Sequence, residues 1–217
     1  MPYKEWGWMR LLYGFDVAAW QRGRGNMFNA LAVSGSAMDE DDSRWLDGLG
    51  ARVLLEVGLR QGDRVLDFGC GTGFYVLPAA MVVAPGGVVY ALDRDHGKLA
   101  SLEEQIAVWG LPNVEVMETA GGVSLPFDDC SLDVVLIYDV LHSDFFSDAK
   151  RQRLLREVRR VLTKNGFLSV YPRHMEDGAA TAAAEQAGFM LDRRVDTEVH
   201  HNHDLVHDMI LNFKKNE

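Results

Sequence analysis

The residues with the clearest chemical potential are the glycines of the segment RVLDFGCGTGFY (64–75). An apolar run that is typical of a β-strand ends near Asp67. Three alternating glycines follow, at Gly69, Gly71 and Gly73, before a helical pattern begins. Glycine in such a turn permits positive φ and lets the backbone approach a ligand at the carboxyl end of a strand. We therefore predict a ligand site at this turn.

The spacing of these glycines distinguishes between classes of ligand. Dinucleotide-binding loops read GxGxxG, whereas this loop reads GxGxG and has Phe74 where the third glycine would fall. The sequence holds no GKS or GKT triplet, which argues against the phosphate cradle of an ATPase. The loop favours a nucleoside-bearing ligand without a pyrophosphate, and a nucleotide-linked oxidoreductase is the weaker alternative.

A second candidate ligand residue is Asp93, which ends the apolar run VVYALD (88–93). It follows the glycine loop by about twenty residues, the separation at which a carboxylate accepts ribose hydroxyls in nucleotide-binding α/β folds. We predict Asp93 as the ribose acceptor. Asp95 is expected to begin the next helix instead.

These residues need a scaffold that brings strand ends together, and the periodicity of the chain predicts one. Short apolar or β-branched runs alternate with helical patterns, which indicates a parallel sheet covered by helices on both faces, a doubly wound α/β fold. The predicted strands are 64–68, 88–92, 114–117, 132–137 and 167–171, and the predicted helices are 73–83, 97–109, 148–163 and 179–187. The last two runs, 191–199 and 208–213, leave no room for a crossover helix and predict an antiparallel pair.

With these motifs in this order, the sequence resembles the class I S-adenosylmethionine-dependent methyltransferases, particularly the small-molecule branch related to the ubiquinone and menaquinone C-methyltransferases. VLDFGCGTG is similar to their first motif and VVYALD to their second. LPFDDCSLDVVLIYDVLH (125–142) is similar to their fourth-strand motif, and LLREVRRVLTKNGFLSVY (154–171) to their following helix, turn and fifth strand. The resemblance implies a Rossmann-like seven-stranded sheet of order 3-2-1-4-5-7-6 with strand 7 antiparallel, and S-adenosyl-L-methionine as cofactor.

The resemblance also implies a set of cofactor contacts. Asp93 would bind the ribose, and Gly122 with Val123 the adenine. Gly121 stands where many relatives have an aspartate that contacts the adenine amino group, so backbone and apolar contacts, or Glu118, must hold the base. The cofactor-binding residues expected in all are Asp67, Gly69, Cys70, Gly71, Gly73, Asp93, Arg94, Gly122, Val123, Tyr138 and Asp139.

Catalysis needs little from the protein beyond position, because a sulfonium methyl group is already activated. An acceptor that carries a proton requires a general base, and His142 and His174, beyond the fourth and fifth strands, titrate in the suitable range. Tyr138 is the third candidate catalytic residue. The alternative is that the two histidines only satisfy hydrogen bonds of their loops.

Residues 1–42 follow no regular period and are rich in aromatic side chains. Because the resembled enzymes often add substrate elements before the first strand, we predict that this extension forms a lid, with Tyr13, Trp20 and Arg22 as candidate contacts. A helix is expected from Ser43, its predicted N-cap, and residues 43–217 are assigned to the methyltransferase domain.

The composition limits the class of partner. The 217 residues include 32 acidic and 22 basic side chains, a formal charge of −10, which favours a small-molecule substrate over nucleic acid. The basic run in 150–164 is expected to be the solvated face of a helix. Only Cys70 and Cys130 are present, and the sequence shows neither a signal peptide nor a membrane span, so we expect a cytoplasmic protein. The oligomeric state stays open, as does a non-catalytic module that binds S-adenosylmethionine or S-adenosylhomocysteine.

Four histidines within eight positions form the most conspicuous potential metal site: His200, His201, His203 and His207. Side chains at successive positions of a strand point to opposite faces, which separates neighbouring imidazoles. The hairpin is also expected at the far edge of the sheet from the first two strands. We therefore predict no bound metal, although one of these histidines could reach the substrate end of the pocket.

Overall fold

The computed structural model describes residues 39–216, and its elements alternate as the periodicity predicts. Tyr13, Trp20, Arg22 and nearly all of the expected lid lie outside this range. The strands are β1 (Arg64–Phe68), β2 (Val88–Asp93), β3 (Val114–Glu118), β4 (Leu132–Tyr138), β5 (Leu162–Tyr171), β6 (Phe189–His201) and β7 (Asp204–Lys215). The helices are α1 (Glu40–Arg44), which runs through a π-helical turn (Trp45–Leu49) into α2 (Gly50–Val57), then α3 (Val76–Val83), α4 (His96–Trp109), α5 (Asp148–Val161) and α6 (Asp177–Gln186).

The seven strands form one sheet of order β3-β2-β1-β4-β5-β7-β6, which confirms the expected topology. The first five strands are parallel, and β7 is antiparallel to both β5 and β6. In a parallel sheet all carboxyl ends lie at the same edge, so the residues after β1, β2 and β4 become neighbours.

Helices cover both faces of the sheet, and each face has its own apolar core. One core joins α2, α3 and α4 to residues of β1, β2 and β4 such as Val65, Val89 and Leu136. The other joins α5 and α6 to the alternate residues, such as Leu66 and Ile137. The two-faced burial explains the continuous apolar run in β4, since neither face of that strand meets water. No helix within residues 39–216 has the length and apolar character that spanning a bilayer would require.

The observed helix near Ser43 differs from the predicted one in where it begins and in its continuity. It begins at Glu40, because the side chain of Asp39 caps it by accepting the N–H of Asp41 at 3.1 Å. It then kinks at Gly48, whose φ of 131° interrupts the helical backbone. The helix predicted over 73–83 begins only at Val76, because the glycine turn continues that far.

The terminal hairpin extends farther than the sequence predicts. Only residues 211–214 of β7 pair with β5, whereas β6 and β7 pair with each other along their full lengths. The distal half of the hairpin therefore projects beyond the end of β5 and reaches the glycine loop, where Tyr75 donates a hydrogen bond to the carbonyl of His200 at 2.9 Å. The expectation that the hairpin lies far from the end of β1 is wrong for this half.

A buried carboxylate fastens the hairpin to the first described helix. Asp42 is 5% exposed, and its two oxygens lie 2.6 Å from Nε2 of His200 and 2.8 Å from Nδ1 of His203. The preceding residue, Asp41, accepts the backbone N–H of Leu205 at 3.0 Å. The acidic run that precedes Ser43 is thus part of the folded domain.

We expect the Asp42→Ala variant to unfold more readily, because the substitution leaves the buried imidazole of His200 without its carboxylate. The free energy of unfolding should fall by about 2–4 kcal/mol. Urea denaturation followed by circular dichroism measures this change. Asp192→Ala is the control, because Asp192 pairs with Lys214 at 3.0 Å on the surface and its removal should cost less than about 1 kcal/mol. Equal losses in both variants would contradict the role given to Asp42.

Candidate active site

A cavity of about 410 Å³ opens at the carboxyl edge of the sheet, where β1, β2 and β4 end. This is the position at which open α/β sheets bind ligands, and the volume is within the range of small-molecule sites. Of the residues predicted to bind cofactor, those lining the cavity are Gly69, Gly71, Asp93, Arg94, Gly122, Tyr138 and Asp139. The ends of β1, β2 and β4 therefore bring together residues that are distant in sequence.

The glycines of the loop after β1 have different tasks. A Cβ on Gly73 would lie 2.4 Å from Cδ1 of Leu102, so this glycine lets α4 pack against the loop. A Cβ on Gly71 would meet no atom within 4 Å, and the φ of this residue is +56°. Gly71 therefore presents bare backbone to the cavity, as a closely approaching ligand requires.

Asp93 organises the loop from the end of β2. Its Oδ2 accepts the N–H of Gly71 at 2.8 Å, and its Oδ1 accepts the N–H groups of Arg94 and Asp95 at 2.7 and 2.9 Å. The carboxylate thus bridges the ends of β1 and β2 at the cavity wall. A carboxylate oxygen has about two acceptor positions, and Oδ2 is occupied by one N–H group, so Asp93 can still accept from a ligand through Oδ2.

Asp67 lies buried in β1, beneath the glycine loop and outside the cavity lining. Burial, reinforced by the nearby charge of Asp93, raises its pKa to about 7. A carboxyl group in this position holds its proton far more strongly than in water, because its charged form is poorly solvated. The domain therefore carries an acid that titrates near neutrality directly below the candidate site.

Five other predicted residues do not line the cavity: Cys70, Gly73, Val123, His142 and His174. Cys70 is buried, and burial raises the pKa of its thiol well above the ordinary value. Val123 packs against the core on the α5 side of the sheet. Their expected ligand contacts stay predictions.

The hydroxyl of Tyr138 is hydrogen-bonded to a residue of the neighbouring strand β5. It lies 2.8 Å from Oγ of Ser169, and burial raises its pKa well above the ordinary value. Although Tyr138 contributes to the cavity wall, this geometry favours a structural role for its hydroxyl. Proton transfer by Tyr138 stays a prediction that the geometry does not favour.

Two histidines from different strand ends lie beside Asp139, which follows β4 and lines the cavity. Oδ2 of Asp139 lies 3.2 Å from Nδ1 of His201, and Oδ1 lies 3.6 Å from Nε2 of His174. The ring of His142 lies 5.2 Å from that of His174. Burial lowers the pKa of His201, although the charge of Asp139 opposes this shift. His142 and His174 thus lie near one another, and His201 joins them from the hairpin.

Several residues of the site gave no signal in the sequence. Phe145 is 47% exposed and lies under the guanidinium of Arg94, whose Cζ is 5.5 Å from the ring centroid. Such an exposed aromatic ring beside a cavity is suited to contact an apolar or aromatic ligand. The other unforeseen lining residues include Lys98, Thr119, Lys150 and Asn202. They belong to helices, loops and a turn whose tertiary positions no local pattern gives.

The basic run of residues 150–164 divides between solvent and internal contacts. Lys150, Arg153 and Arg156 of α5 are exposed, as a solvated helix face requires, and Lys164 of β5 is exposed as well. Arg151 is buried and donates to the carbonyl of Leu141 at 2.7 Å. Arg160 bonds Glu157 and Asp129, both at 2.9 Å, so these two arginines have a structural role.

Comparison with known proteins agrees with the geometry. The structure is similar to a crystal structure of a SAM-dependent methyltransferase from Aquifex aeolicus, with a TM-score of 0.62 and 20% identity over 92% of this chain and 97% of that one. It is also similar to the [4+2]-cyclase SpnF, with a TM-score of 0.59 and 19% identity over 76% of this chain and 81% of that one. These likenesses show that the chain shares the Rossmann-like fold of these proteins.

Residues 65–166 match the sequence profile of the family described as a methyltransferase domain. This part of the chain is therefore similar to the S-adenosylmethionine-dependent methyltransferases, as the motifs predicted. It is 33% identical over 120 residues to the demethylmenaquinone methyltransferase of Geobacillus kaustophilus, which covers 54% of this chain and 48% of the relative. A Staphylococcus aureus protein of the same name is 31% identical over 119 residues. The chain spans about half the length of the curated relatives it matches.

The raised pKa of Asp67 predicts a pH-dependent effect of the Asp67→Asn substitution. Between the ordinary pKa of 3.8 and the folded value of about 7, the folded state retains a proton that the unfolded state has lost, so the wild-type protein loses stability as the pH rises. The stability of Asp67→Asn relative to wild type should improve by about 2–3 kcal/mol between pH 5 and pH 8. Urea denaturation at the two pH values measures this difference.

Asp133→Asn is the matched control for this experiment. Burial opposes ionisation of Asp133, but hydrogen bonds from Arg64 at 2.9 to 3.1 Å outweigh it and lower its pKa. Its stabilising effect is present above the ordinary pKa and is lost only at lower pH, so the effect of this substitution should be similar at pH 5 and pH 8. A pH-independent effect of Asp67→Asn would contradict the assignment.

Proposed function

We propose that this protein transfers the methyl group of S-adenosylmethionine to a small-molecule acceptor bound at the mouth of the cavity. The observation that carries the proposal is the wall formed by Gly71 and Asp93. An open glycine backbone and an acidic side chain, hydrogen-bonded at 2.8 Å, face one cavity at the carboxyl ends of adjacent parallel strands. The methyltransferase domain assigned to residues 65–166 supports the same reaction.

The lining residues suit the three parts of the cofactor. Asp93 is proposed to accept the ribose hydroxyls while it continues to hold the N–H of Gly71. Gly122 and the neighbouring backbone are proposed to face the adenine, because Glu118 is engaged by His96 at 3.0 Å. Gly69, Gly71 and Asp139 would then surround the methionine portion. A cationic group beside the loop would favour the charged form of Asp67, which burial alone disfavours.

The bound cofactor would supply an electrophilic methyl group, so the protein's residues mainly position the acceptor and accept its proton. We propose the imidazoles near Asp139 for this second task, since Asp139 itself lines the cavity. His142 and His174 were expected from the sequence, and His201 lies closer to Asp139 than His174 does. Phe145 offers an exposed ring at the same cavity for the apolar part of an acceptor.

Demethylmenaquinone is the first acceptor to test, because it appears in the name of the curated relatives. A small molecule also agrees with the net charge of −10 and with the internal contacts of Arg151 and Arg160 in α5. The cytoplasmic location expected from the sequence belongs to this proposal, and both cysteines are free, as a reducing compartment would keep them.

Gly71→Val should abolish cofactor binding while the domain stays folded. The Cβ of a valine at this position would meet no protein atom within 4 Å and would enter open cavity space. We expect the Kd for S-adenosylhomocysteine, measured by isothermal titration calorimetry, to rise by about 100-fold or more, which corresponds to about 2.7 kcal/mol.

Gly110→Val provides a control with matched backbone strain. Gly110 has a φ of +60° and open surroundings, as Gly71 does, but it ends α4 outside the cavity lining. Both variants should lose similar stability on heating, and only Gly71→Val should lose affinity. Retained binding in Gly71→Val would remove the loop from the proposed site.

The proposed reaction is tested by methyl transfer from labelled S-adenosylmethionine to demethylmenaquinone and to a metabolite extract. We expect labelled product and stoichiometric S-adenosylhomocysteine. Binding of NADH without binding of either sulfur compound would favour the oxidoreductase, and cofactor binding without transfer to any acceptor would favour the non-catalytic module.

The Asp93→Ala variant should bind the cofactor more weakly by about 1.5–3 kcal/mol.

A further inference from the structure

Three side chains with metal-binding atoms converge beside the cavity, each from the end of a different strand. They are Asp139 after β4, His174 after β5 and His201 at the end of β6. One donor atom from each lies within 4.8 Å of those of the other two. The four-histidine run therefore does not act as one unit, since His201 joins residues that are distant in sequence.

Asp139 has unmet bonding capacity at this point. Its Oδ1 is buried and has no hydrogen-bond partner among residues 39–216. The nearest imidazole nitrogen of His174 is 3.6 Å away, which is too long for a hydrogen bond. The backbone of Asp139 has a φ of 55°, and its N–H is fixed by the carbonyl of Tyr171 at 2.8 Å. The part of the fold formed by residues 39–216 thus holds an acceptor in place without the donor that a buried carboxylate oxygen requires.

The donor set and its spacing suit a first-row transition metal. Zinc binds imidazole nitrogen and carboxylate oxygen at about 2.0–2.2 Å, which places neighbouring ligand atoms of a tetrahedral site about 3.4 Å apart. The observed separations, 3.2 Å from Oδ2 of Asp139 to His201 and 3.6 Å from Oδ1 to His174, lie on either side of that value, so an ion between the two imidazoles would contact both oxygens of Asp139. Two imidazoles and one carboxylate also leave coordination positions open, which is typical of catalytic rather than structural sites.

The ring of His201 is already oriented for such a role. Its Nε2 lies 3.0 Å from Nδ2 of Asn202, so Nδ1 is directed to Asp139. The amide of Asn202 can serve either tautomer of the ring, by presenting its nitrogen or its oxygen. A partner on the second ring nitrogen is the usual device that orients a metal-binding histidine.

The second cluster of the hairpin, formed by Asp42, His200 and His203, has no carboxylate oxygen without a partner. Each oxygen of Asp42 already has an imidazole at hydrogen-bond distance, 2.6 Å and 2.8 Å. The ring of His200 is stacked on Phe74 with centroids 3.9 Å apart. In that cluster both carboxylate oxygens have a partner, and the cluster holds the hairpin against α1. It therefore serves as a comparison for the cluster around Asp139.

We propose that Asp139, His174 and His201 bind one divalent transition-metal ion of the zinc or iron(II) class at the edge of the cavity. Asp139 and the neighbouring Asn202 line the cavity, so open positions of a bound ion would be reached from the cavity. They would take an oxygen of the acceptor and hold it where the methyl group arrives. Metal binding itself does not depend on the proposed function, whereas this role of the ion does. His174 then acts as a ligand rather than as a free base.

The test uses the full chain, purified without a histidine tag, stripped with a chelator and titrated with Co²⁺. We expect one equivalent to bind and to give the visible d–d absorption of a site with nitrogen and oxygen ligands. His174→Ala and His201→Ala should each weaken Co²⁺ binding by about 100-fold or more. His174 is half exposed, so its removal should leave the fold intact.

A histidine variant of the same hairpin serves as the control. His207 pairs with Asp196 at 2.9 Å on the surface, outside both histidine clusters, so His207→Ala should bind Co²⁺ like wild type. Absence of stoichiometric Co²⁺ binding, or its loss in His207→Ala but not in His174→Ala, would overturn the proposal. Methyl transfer that survives in the stripped protein would leave the metal site standing and overturn only its role in catalysis.

Discussion

The candidate site depends on one constraint, the parallel pairing of β1 with its neighbours. This pairing brings the glycine loop beside Asp93, and the hydrogen bond from Gly71 to that carboxylate joins the two strand ends. Pairing of β1 with β4 on its other side places Asp139 at the same edge. The cavity therefore follows from strand direction, because only a parallel arrangement collects successive strand ends at one side of the sheet.

The terminal hairpin completes the site by extending past the strand that supports it. Beyond the four residues that pair with β5, its two strands stabilise each other and reach the loop after β1. The buried Asp42 holds that end in place by bonding His200 and His203. As a result, Asn202 lines the cavity and His201 faces Asp139, although β6 occupies the outer edge of the sheet.

Two carboxyl groups near the cavity, those of Asp67 and Asp139, are shielded from water in different ways. Asp67 is shielded from water and has a raised pKa, so its proton is retained close to neutral pH. Asp139 is only partly buried, but one of its oxygens lies without a donor among the described residues. Both carboxyl groups would gain from a cation in the cavity, since a positive charge favours the ionised form. Such an arrangement is costly to the fold and is usual at functional sites.

The sequence by itself determined the order of strands and helices, the glycine loop and the placement of Asp93, because these depend on local periodicity and on fixed spacing along the chain. It was less accurate at boundaries, where Asp39 replaces Ser43 as the cap and the glycine turn delays α3. Only the tertiary structure decided that His201 meets Asp139 and His174, and that Phe145 and Asn202 reach the cavity. These contacts join residues that are far apart in the chain, and the path of the hairpin beyond β5 follows from packing, which no local pattern encodes.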